Sequence, residues 1–262
     1  MFSLNAISSD SFLYILFVMF LFAVLYYVCH AIFFTFFNLA FGIKERNKRS
    51  FLPDLAPSIL TLMMWMVSFL MVKAIPYNGL FPAFFSDFNS ILTILTATGA
   101  FFLIDFIEYW MHFMLHKIPF LWRFHKIHHD PTHLNWSKAI RLSSIESFST
   151  SFLVNLILLL FFGKEKLMFL AVLFGFKRFY GFFLHSNTDI AYGNSLRLFA
   201  SPRFHHWHHG ADIQNPQNLS TLFPFWDKLF GTYYGEGTEM PSAYGLISHE
   251  SKINIMPTLN KK

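Results

Sequence analysis

The chain has 262 residues, of which 54% are hydrophobic, 13% are charged and 37 are phenylalanine, and its formal net charge is +5. This composition excludes an ordinary soluble globular domain and is typical of an integral membrane protein. The single cysteine excludes a disulfide and a cysteine-based zinc site. The basic residues are spread over loops without an aromatic-interleaved nucleic-acid motif, so they indicate membrane topology and contact with anionic lipid heads, with no nucleic-acid partner.

The first predicted element is a long membrane helix at residues 11–43, a stretch without charged residues. It exceeds the ~20 residues needed to cross a bilayer, which indicates a tilted or protruding span. A signal peptide is the alternative, but residues 1–10 contain no basic residue and no small-residue cleavage site follows the run. The basic cluster KERNKR at 44–49 predicts the cytoplasmic side, which places the N-terminus outside.

Two further spans are predicted before the middle of the chain. Residues 55–75 form the second span, and the following loop at 76–90 holds one acid and no base, as an outer loop should. The third span, from 91 to about 111, returns to the cytoplasmic side. It therefore delivers His112 and His116 at its inner end.

A helical hairpin is predicted next. Ser143 and Glu146 form an S-x-x-E capping box that starts a helix running to residue 162. A second apolar segment, 167–184, returns and brings His185 to the inner side. A lysine and an arginine interrupt this segment, which leaves open whether it crosses the bilayer completely.

The remainder, from 185 to 262, contains no stretch long or apolar enough to cross, and glycines and prolines break it into short pieces. We expect short helices and loops that form a cap on the membrane helices. The predicted fold class is therefore an all-α integral membrane protein with four to five transmembrane helices and a cytoplasmic, histidine-rich helical cap.

Three sets of histidines have spacings that place imidazoles side by side on a helix. They are His112 and His116; His125, His128 and His129; and His205, His208 and His209. Crowded imidazoles repel at mildly acid pH unless a metal or a carboxylate holds them. Eight imidazoles are too many for one metal centre, so the count predicts two metal ions that share one site.

The other histidines have ordinary interpretations. His30 lies in an apolar run, and His133 and His249 lie in polar loops. His206 is surplus, because its neighbours already supply the i, i+3, i+4 set.

Two acids precede the first histidine pair and share its helical stripe. Asp105 and Glu108 lie seven and four residues before His112, and acids at the end of a span are functional by default. We predict that they accept the second N–H of ligand imidazoles. The alternative is that they only pair with lysine or arginine at the interface, and Arg178 is the candidate to balance this acid.

The all-imidazole set favours iron over hydrolytic zinc, since no HExxH motif is present. Ferrous ions held by histidines can reduce dioxygen and oxidise an unactivated C–H bond. The substrate would be a lipid that enters from the bilayer between the spans. Because no flavin, haem or iron–sulfur motif is visible, electrons would come from a reductase chain through a small carrier docking on the cytoplasmic cap.

Five segments carry a resemblance: DFIEYWMHFMLH, LWRFHKIHH, FLHSN, SPRFHHWHH and FWDKLFGTYY. Together they resemble the fatty acid hydroxylase superfamily, also called the sterol desaturase family, over residues 96–234. Members are membrane di-iron oxygenases that act on sterols, fatty acids, alkylglycerol ethers and carotenoids. The resemblance implies two iron ions, dioxygen as cosubstrate, and nine metal ligands: His112, His116, His125, His128, His129, His185, His205, His208 and His209.

The resemblance also implies a role for Asn218, which stands eight residues before Trp226, where relatives carry an asparagine expected to orient a metal-bound water. Some positions depart from the family pattern. Phe113 replaces an arginine, and the segment 141–146 replaces R-x-H-P-x-E while keeping its first and last residues. These departures leave the metal ligands intact but leave the lipid and the choice between hydroxylation and desaturation open.

The predicted organisation is N-terminal transmembrane helices at 1–90, a fatty acid hydroxylase-like di-iron domain at 91–236 and a C-terminal tail at 237–262. A histidine-rich metal transporter or metal-binding membrane protein is the alternative function. It would place ligands along a pore inside the spans, whereas these histidines crowd at one end. An inactive scaffold of the family is a third possibility, against which the intact histidine motifs argue.

Overall fold

The computed structural model describes residues 9–41, 52–80, 91–193, 198–211 and 216–246. Every regular element in these ranges is a helix, which confirms the all-α prediction. The α-helices are α1 (Ser9–Ala40), α2 (Leu55–Lys73), α3 (Ile91–Lys117), α4 (Pro119–His129), α5 (Ser144–Phe162), α6 (Leu167–Leu184), α7 (Pro202–His208) and α8 (Phe225–Phe230). Short 3₁₀ helices at Leu52–Asp54 and Trp136–Ile140 complete the set.

Four of the described helices are long and apolar enough to cross a membrane: Leu13–Ala40, Leu55–Lys73, Ser144–Phe162 and Leu167–Leu184. The last of these continues unbroken through Lys177 and Arg178, so the two basic residues do not interrupt it. The predicted third span lies within α3, and its place in a bilayer stays a prediction. The basic cluster at 44–49 and residues 81–90 of the predicted outer loop lie outside the described residues.

Small polar side chains join α2 to α5. Ser68 Oγ lies 2.7 Å from Ser151 Oγ, and Thr61 Oγ1 lies 3.1 Å from Ser147 Oγ. Small residues allow two helix backbones to approach closely, and in an apolar setting they also supply interhelical hydrogen bonds. This contact aligns α5 beside α2.

A second, apolar core holds α3, α5 and α6 together. One buried cluster contains Ile104, Val154, Leu158 and Leu170, each of which is at most 1% exposed. The close packing of these apolar side chains fixes the relative position of the three helices. Their ends are thereby gathered at one place, where the histidines lie.

The ends of α5 and α7 are defined by serine caps. Ser143 Oγ accepts a hydrogen bond from the Glu146 backbone N–H at 3.2 Å, which confirms the predicted helix start, but the Glu146 side chain contacts His125 and does not complete the capping box. Ser201 Oγ accepts from the Phe204 N–H at 3.1 Å and starts α7 in the same way. The short helices α7 and α8, with their connecting loops, match the predicted division of the tail into short pieces.

Candidate metal centre

The structure gathers nine histidines into two adjoining groups, and within each group the ligand atoms all lie within 4.8 Å of one another. The first group, called the five-histidine group, is His112, His116, His125, His129 and His208. The second, the four-histidine group, is His128, His185, His205 and His209. These are the nine histidines singled out from the sequence. His30, His133 and His206 lie outside both groups, and His249 is outside the described residues.

Each i, i+3, i+4 set is divided between the two groups. On α4, His125 and His129 belong to the five-histidine group, whereas His128 belongs to the four-histidine group. On α7, His208 joins the first group and its neighbour His209 joins the second. The division follows from helix geometry, because residues i and i+4 lie on nearly the same face and join one group, whereas residue i+3, rotated by about 100° from residue i+4, faces the other group.

Three close contacts between imidazole nitrogens tie the segments together. The Nε2 atoms of His208 and His129 lie 3.1 Å apart. The Nε2 atom of His185 lies 3.2 Å from that of His128 and 3.1 Å from that of His205. Segments of the chain that are up to 79 positions apart therefore aim ring nitrogens at the same points.

Main-chain carbonyls define the protonation of three of these rings. The Nδ1–H groups of His112, His185 and His208 donate to the carbonyl oxygens of Leu219, Gly181 and Gln217 at 2.7, 2.8 and 2.8 Å. A carbonyl can only accept, so the proton is on Nδ1 and the lone pair is on Nε2. This is the arrangement that metal-binding histidines use to orient the ligating nitrogen.

His125 differs from these three, since its Nδ1–H donates to a carboxylate. The acceptor is Glu146 Oε1, at 2.8 Å, and both side chains are 4% exposed. From the sequence, Glu146 was assigned only to a helix cap. The signal that could have identified it is the family resemblance, because the R-x-H-P-x-E motif of relatives carries a glutamate at this place.

The imidazole-accepting role predicted for Asp105 and Glu108 is wrong. Asp105 lies 2.8 Å from Lys177 Nζ through one oxygen, and its other oxygen accepts from Trp226 Nε1 at 2.8 Å. Glu108 pairs with Lys177 and, at 2.9 Å, with Arg178. The reason is electrostatic, since two cations on α6 face these acids and a buried charge requires an opposite charge. The prediction that Arg178 balances an acid of this pair is confirmed, because Arg178 pairs with Glu108.

The role predicted for Asn218, the orientation of a metal-bound water, is also wrong. Its Nδ2 donates to the carbonyls of Phe204 and Gly235 at 2.9 and 2.7 Å, and its Oδ1 accepts from the N–H groups of Tyr234 and Gly235 at 2.9 and 3.1 Å. These four bonds use the whole hydrogen-bonding capacity of an amide. Asn218, at φ 51°, instead holds the loop whose Leu219 carbonyl accepts a hydrogen bond from His112 Nδ1–H.

Burial keeps four of the grouped imidazoles, those of His185, His205, His208 and His209, neutral. Desolvation lowers the pKa of His208 to about 3, against the opposing effect of its hydrogen bond to the Gln217 carbonyl. Desolvation likewise lowers the pKa of His185 to about 3, and it lowers the pKa values of His205 and His209 well below their ordinary range. Neutral imidazole is the form that binds a metal ion.

The ring nitrogens fit a bound cation. Among the described residues, the Nε2 atoms of His112, His116, His125 and His209 are buried and have no hydrogen-bond partner. Buried polar atoms without partners are costly and uncommon in native proteins, so lone pairs that converge in this way indicate a positively charged guest. Imidazole donors suit iron, zinc, copper and nickel.

A cavity of about 110 Å³ adjoins the centre between α2, α3, α5 and α6. Its lining contains five grouped imidazoles, those of His112, His125, His128, His185 and His205. Most of the lining surface is apolar and comes from residues such as Trp65, Met111, Leu115, Val154 and Phe182, and the charged residues Glu108, Glu146, Lys177 and Arg178 also line the cavity. Apolar side chains and grouped imidazoles therefore line the same cavity.

Comparisons with known proteins agree with this geometry. The model of the family described as fatty acid hydroxylase matches residues 97–232. Over 149 residues the chain is 31% identical to an alkylglycerol monooxygenase of Homo sapiens, with 56% of this chain and 32% of the relative covered. Over 154 residues it is 30% identical to an alkylglycerol monooxygenase of Caenorhabditis elegans, with 57% and 29% covered.

A bacterial relative acts on a different lipid. The chain is 28% identical over 151 residues to an ornithine lipid hydroxylase of Rhizobium tropici, with 56% of this chain and 44% of the relative covered. The matched region therefore spans less than half the length of each of these relatives. No solved structure matches the chain significantly.

Proposed function

Because the chain belongs to the fatty acid hydroxylase family, we propose that it is a membrane-bound di-iron oxidoreductase that hydroxylates or desaturates a lipid C–H bond. It would use dioxygen as cosubstrate and electrons from outside the chain. The observation that carries this proposal is the gathering of nine imidazoles, in groups of five and four, of which five line a cavity with mainly apolar surface beside candidate membrane spans.

The five-histidine and four-histidine groups would each hold one iron ion. When bound, such a ferrous pair supplies the activation of dioxygen toward an unactivated C–H bond. The protein's contribution is orientation, because the carbonyls of Leu219, Gly181 and Gln217 hold the Nδ1 protons and leave the Nε2 lone pairs free. Burial also favours metal binding, because it keeps these rings neutral at physiological pH.

The substrate would be a lipid taken directly from the bilayer. Apolar walls formed by Met111, Leu115, Val154 and Phe182 would hold a hydrocarbon segment and exclude water from the reacting carbon. The relatives act, by name, on alkylglycerols and on ornithine lipid, which favours an ether lipid or acyl lipid with a polar head, and a sterol-like lipid is the remaining class.

The proposed orientation has the N-terminus outside and the metal centre at the cytoplasmic face. Its support is the basic cluster at 44–49 between the first two spans, which the positive-inside rule assigns to the cytoplasm. A reductase or small electron carrier would then reach the cap from the cytoplasm and supply the two electrons that a monooxygenase consumes.

The test is lipid profiling of cells with and without the gene, paired with a His128→Ala control and with iron analysis of the purified protein. We expect a lipid that has gained one oxygen or lost two hydrogens, present with the wild-type gene and absent with the variant. Purified protein that holds no iron, together with unchanged lipids, would refute the proposal. A metal transporter would change cellular metal content and leave the lipids unaltered.

A further inference from the structure

Glu146 is, in the described residues of the chain, the carboxylate in hydrogen-bond contact with the nine grouped imidazoles. Its Oε1 accepts a hydrogen bond from His125 Nδ1–H at 2.8 Å. The other rings whose Nδ1 donates, those of His112, His185 and His208, meet neutral carbonyls. The two groups therefore differ electrostatically, since the five-histidine group has an anionic partner and no described residue gives one to the four-histidine group.

The other acids beside the centre are already neutralised. Asp105 and Glu108 face Lys177 and Arg178, two negative charges against two positive charges. Glu146 has no lysine or arginine partner among the ion pairs of the described residues, where it contacts His125 alone. Its negative charge is thus available to compensate a cation held by the imidazoles.

The second oxygen of Glu146 gives independent support. The Glu146 side chain is only 4% exposed, and its Oε2 has no hydrogen-bond partner among the described residues. A carboxylate oxygen in such surroundings is costly unless positive charge lies nearby. Glu146 also lies in the first turn of α5, where the helix dipole favours negative charge.

We propose that Glu146 is the positioning residue of the five-histidine group and that its charge makes this group bind metal more tightly than the four-histidine group. The inference rests on the proposed function, in that both groups hold metal. Oε1 would hold the His125 ring with Nε2 toward the metal, and the anionic acceptor would make that nitrogen a stronger donor. Outer-shell partners of this kind change metal affinity by about 10-fold to 100-fold.

The experiment is a titration of purified, metal-free, full-length protein in detergent with Co²⁺, read from its visible absorption. Wild-type protein should bind two equivalents with separable affinities. Glu146→Gln keeps an acceptor for His125 but removes the charge, and we expect about 10-fold weaker binding at the tighter site alone. Glu146→Ala, which removes both, should weaken the same site about 100-fold.

Two sets of variants identify the site and control for the charge change. His116→Ala removes a ligand of the five-histidine group and should weaken the site that Glu146→Gln weakens, whereas His209→Ala should weaken the other. Glu165→Gln makes the same chemical change at a side chain that is 79% exposed and should bind as wild type does. If Glu146→Gln does not fold, Glu146→Asp, which shortens the reach to His125, should weaken the same single site.

Wild-type affinity in Glu146→Gln, or equal weakening of both sites, would overturn the inference. Either result would leave the proposed function standing, because the wild-type protein would still hold two metal ions. Wild-type protein that binds no Co²⁺ and no Fe²⁺ would instead refute the proposed function and this inference with it.

Discussion

His129 at the end of α4 and His208 at the end of α7 place their Nε2 atoms 3.1 Å apart, although 79 positions separate them in the chain. Both rings belong to the five-histidine group, which also takes His112 and His116 from α3. The contact joins α4 to α7, and the group as a whole also includes α3, since no one of these three helices supplies all five ligands.

Replacement of a grouped histidine should remove metal from one group. For His208→Ala we expect the iron content to fall from about two ions per chain to about one, with lipid oxidation reduced at least ~100-fold. Iron analysis and lipid profiling measure these effects. His206→Gln is the control, because His206 lies two positions before His208 in the same helix but outside both groups. Full iron content in His208→Ala would contradict the assignment.

The buried charges between α3 and α6 should matter for stability. Lys177 contacts both Asp105 and Glu108, and Lys177→Met removes this shared cation. Removal of one partner of a buried ion pair lowers the free energy of unfolding by about 3–5 kcal/mol. Thermal unfolding in detergent should show this loss. A double variant, Lys177→Met with Asp105→Asn, should recover some of the stability because the uncompensated charge is smaller. Equal stability of single and double variants would count against the pairing.

Asn218 offers a test of structure against chemistry. The four hydrogen bonds of its side chain hold α7 to the segment at 234–235, so Asn218→Ala should destabilise the fold by at least ~2 kcal/mol. The measurement is chemical or thermal unfolding of the metal-free protein. A variant that unfolds as wild type does, but has lost all lipid oxidation, would restore a direct catalytic role for this asparagine.

The metal-free protein should lose stability in mild acid. Burial lowers the pKa of His185 and of His208 to about 3, below the ordinary histidine value of about 6.5. Between these two values the unfolded chain binds protons that the folded chain does not, so stability falls as the pH falls through this window. Each histidine contributes about 1.4 kcal/mol per pH unit. Unfolding at pH 7, 6 and 5 measures the slope, and a flat profile would contradict the prediction.

Local spacing was enough to predict α2, α5 and α6 and to identify eight of the nine metal-binding candidates, whereas His185 came from the family resemblance. The i, i+3 and i+4 intervals around His125 and His205 are properties of one helix, and the apolar runs at 55–75 and 167–184 define spans by length and composition. These features need no information about neighbours. For this reason α2, α5 and α6 were predicted with errors of two residues or fewer at their ends.

The acceptors of the imidazole protons could not be found in this way. Asp105 and Glu108 share a helical stripe with His112, yet Lys177 and Arg178 take them, because α6 packs against α3 and brings two cations to that face. Glu146 lies 21 positions after His125 and becomes its partner through the packing of α5 beside α4. Long-range electrostatics of this kind depends on which helices adjoin.

What could be determined from the amino-acid order alone was the inventory: an all-helical membrane chain, nine histidines suited to metal, and the family that uses them. The tertiary arrangement was needed to divide those histidines into five and four, to assign Glu146 to His125, and to make Asn218 a structural clamp. The physical reason is that helical periodicity depends on neighbouring residues in the chain, whereas the coordination and charge of a buried site depend on segments that meet only when the helices pack.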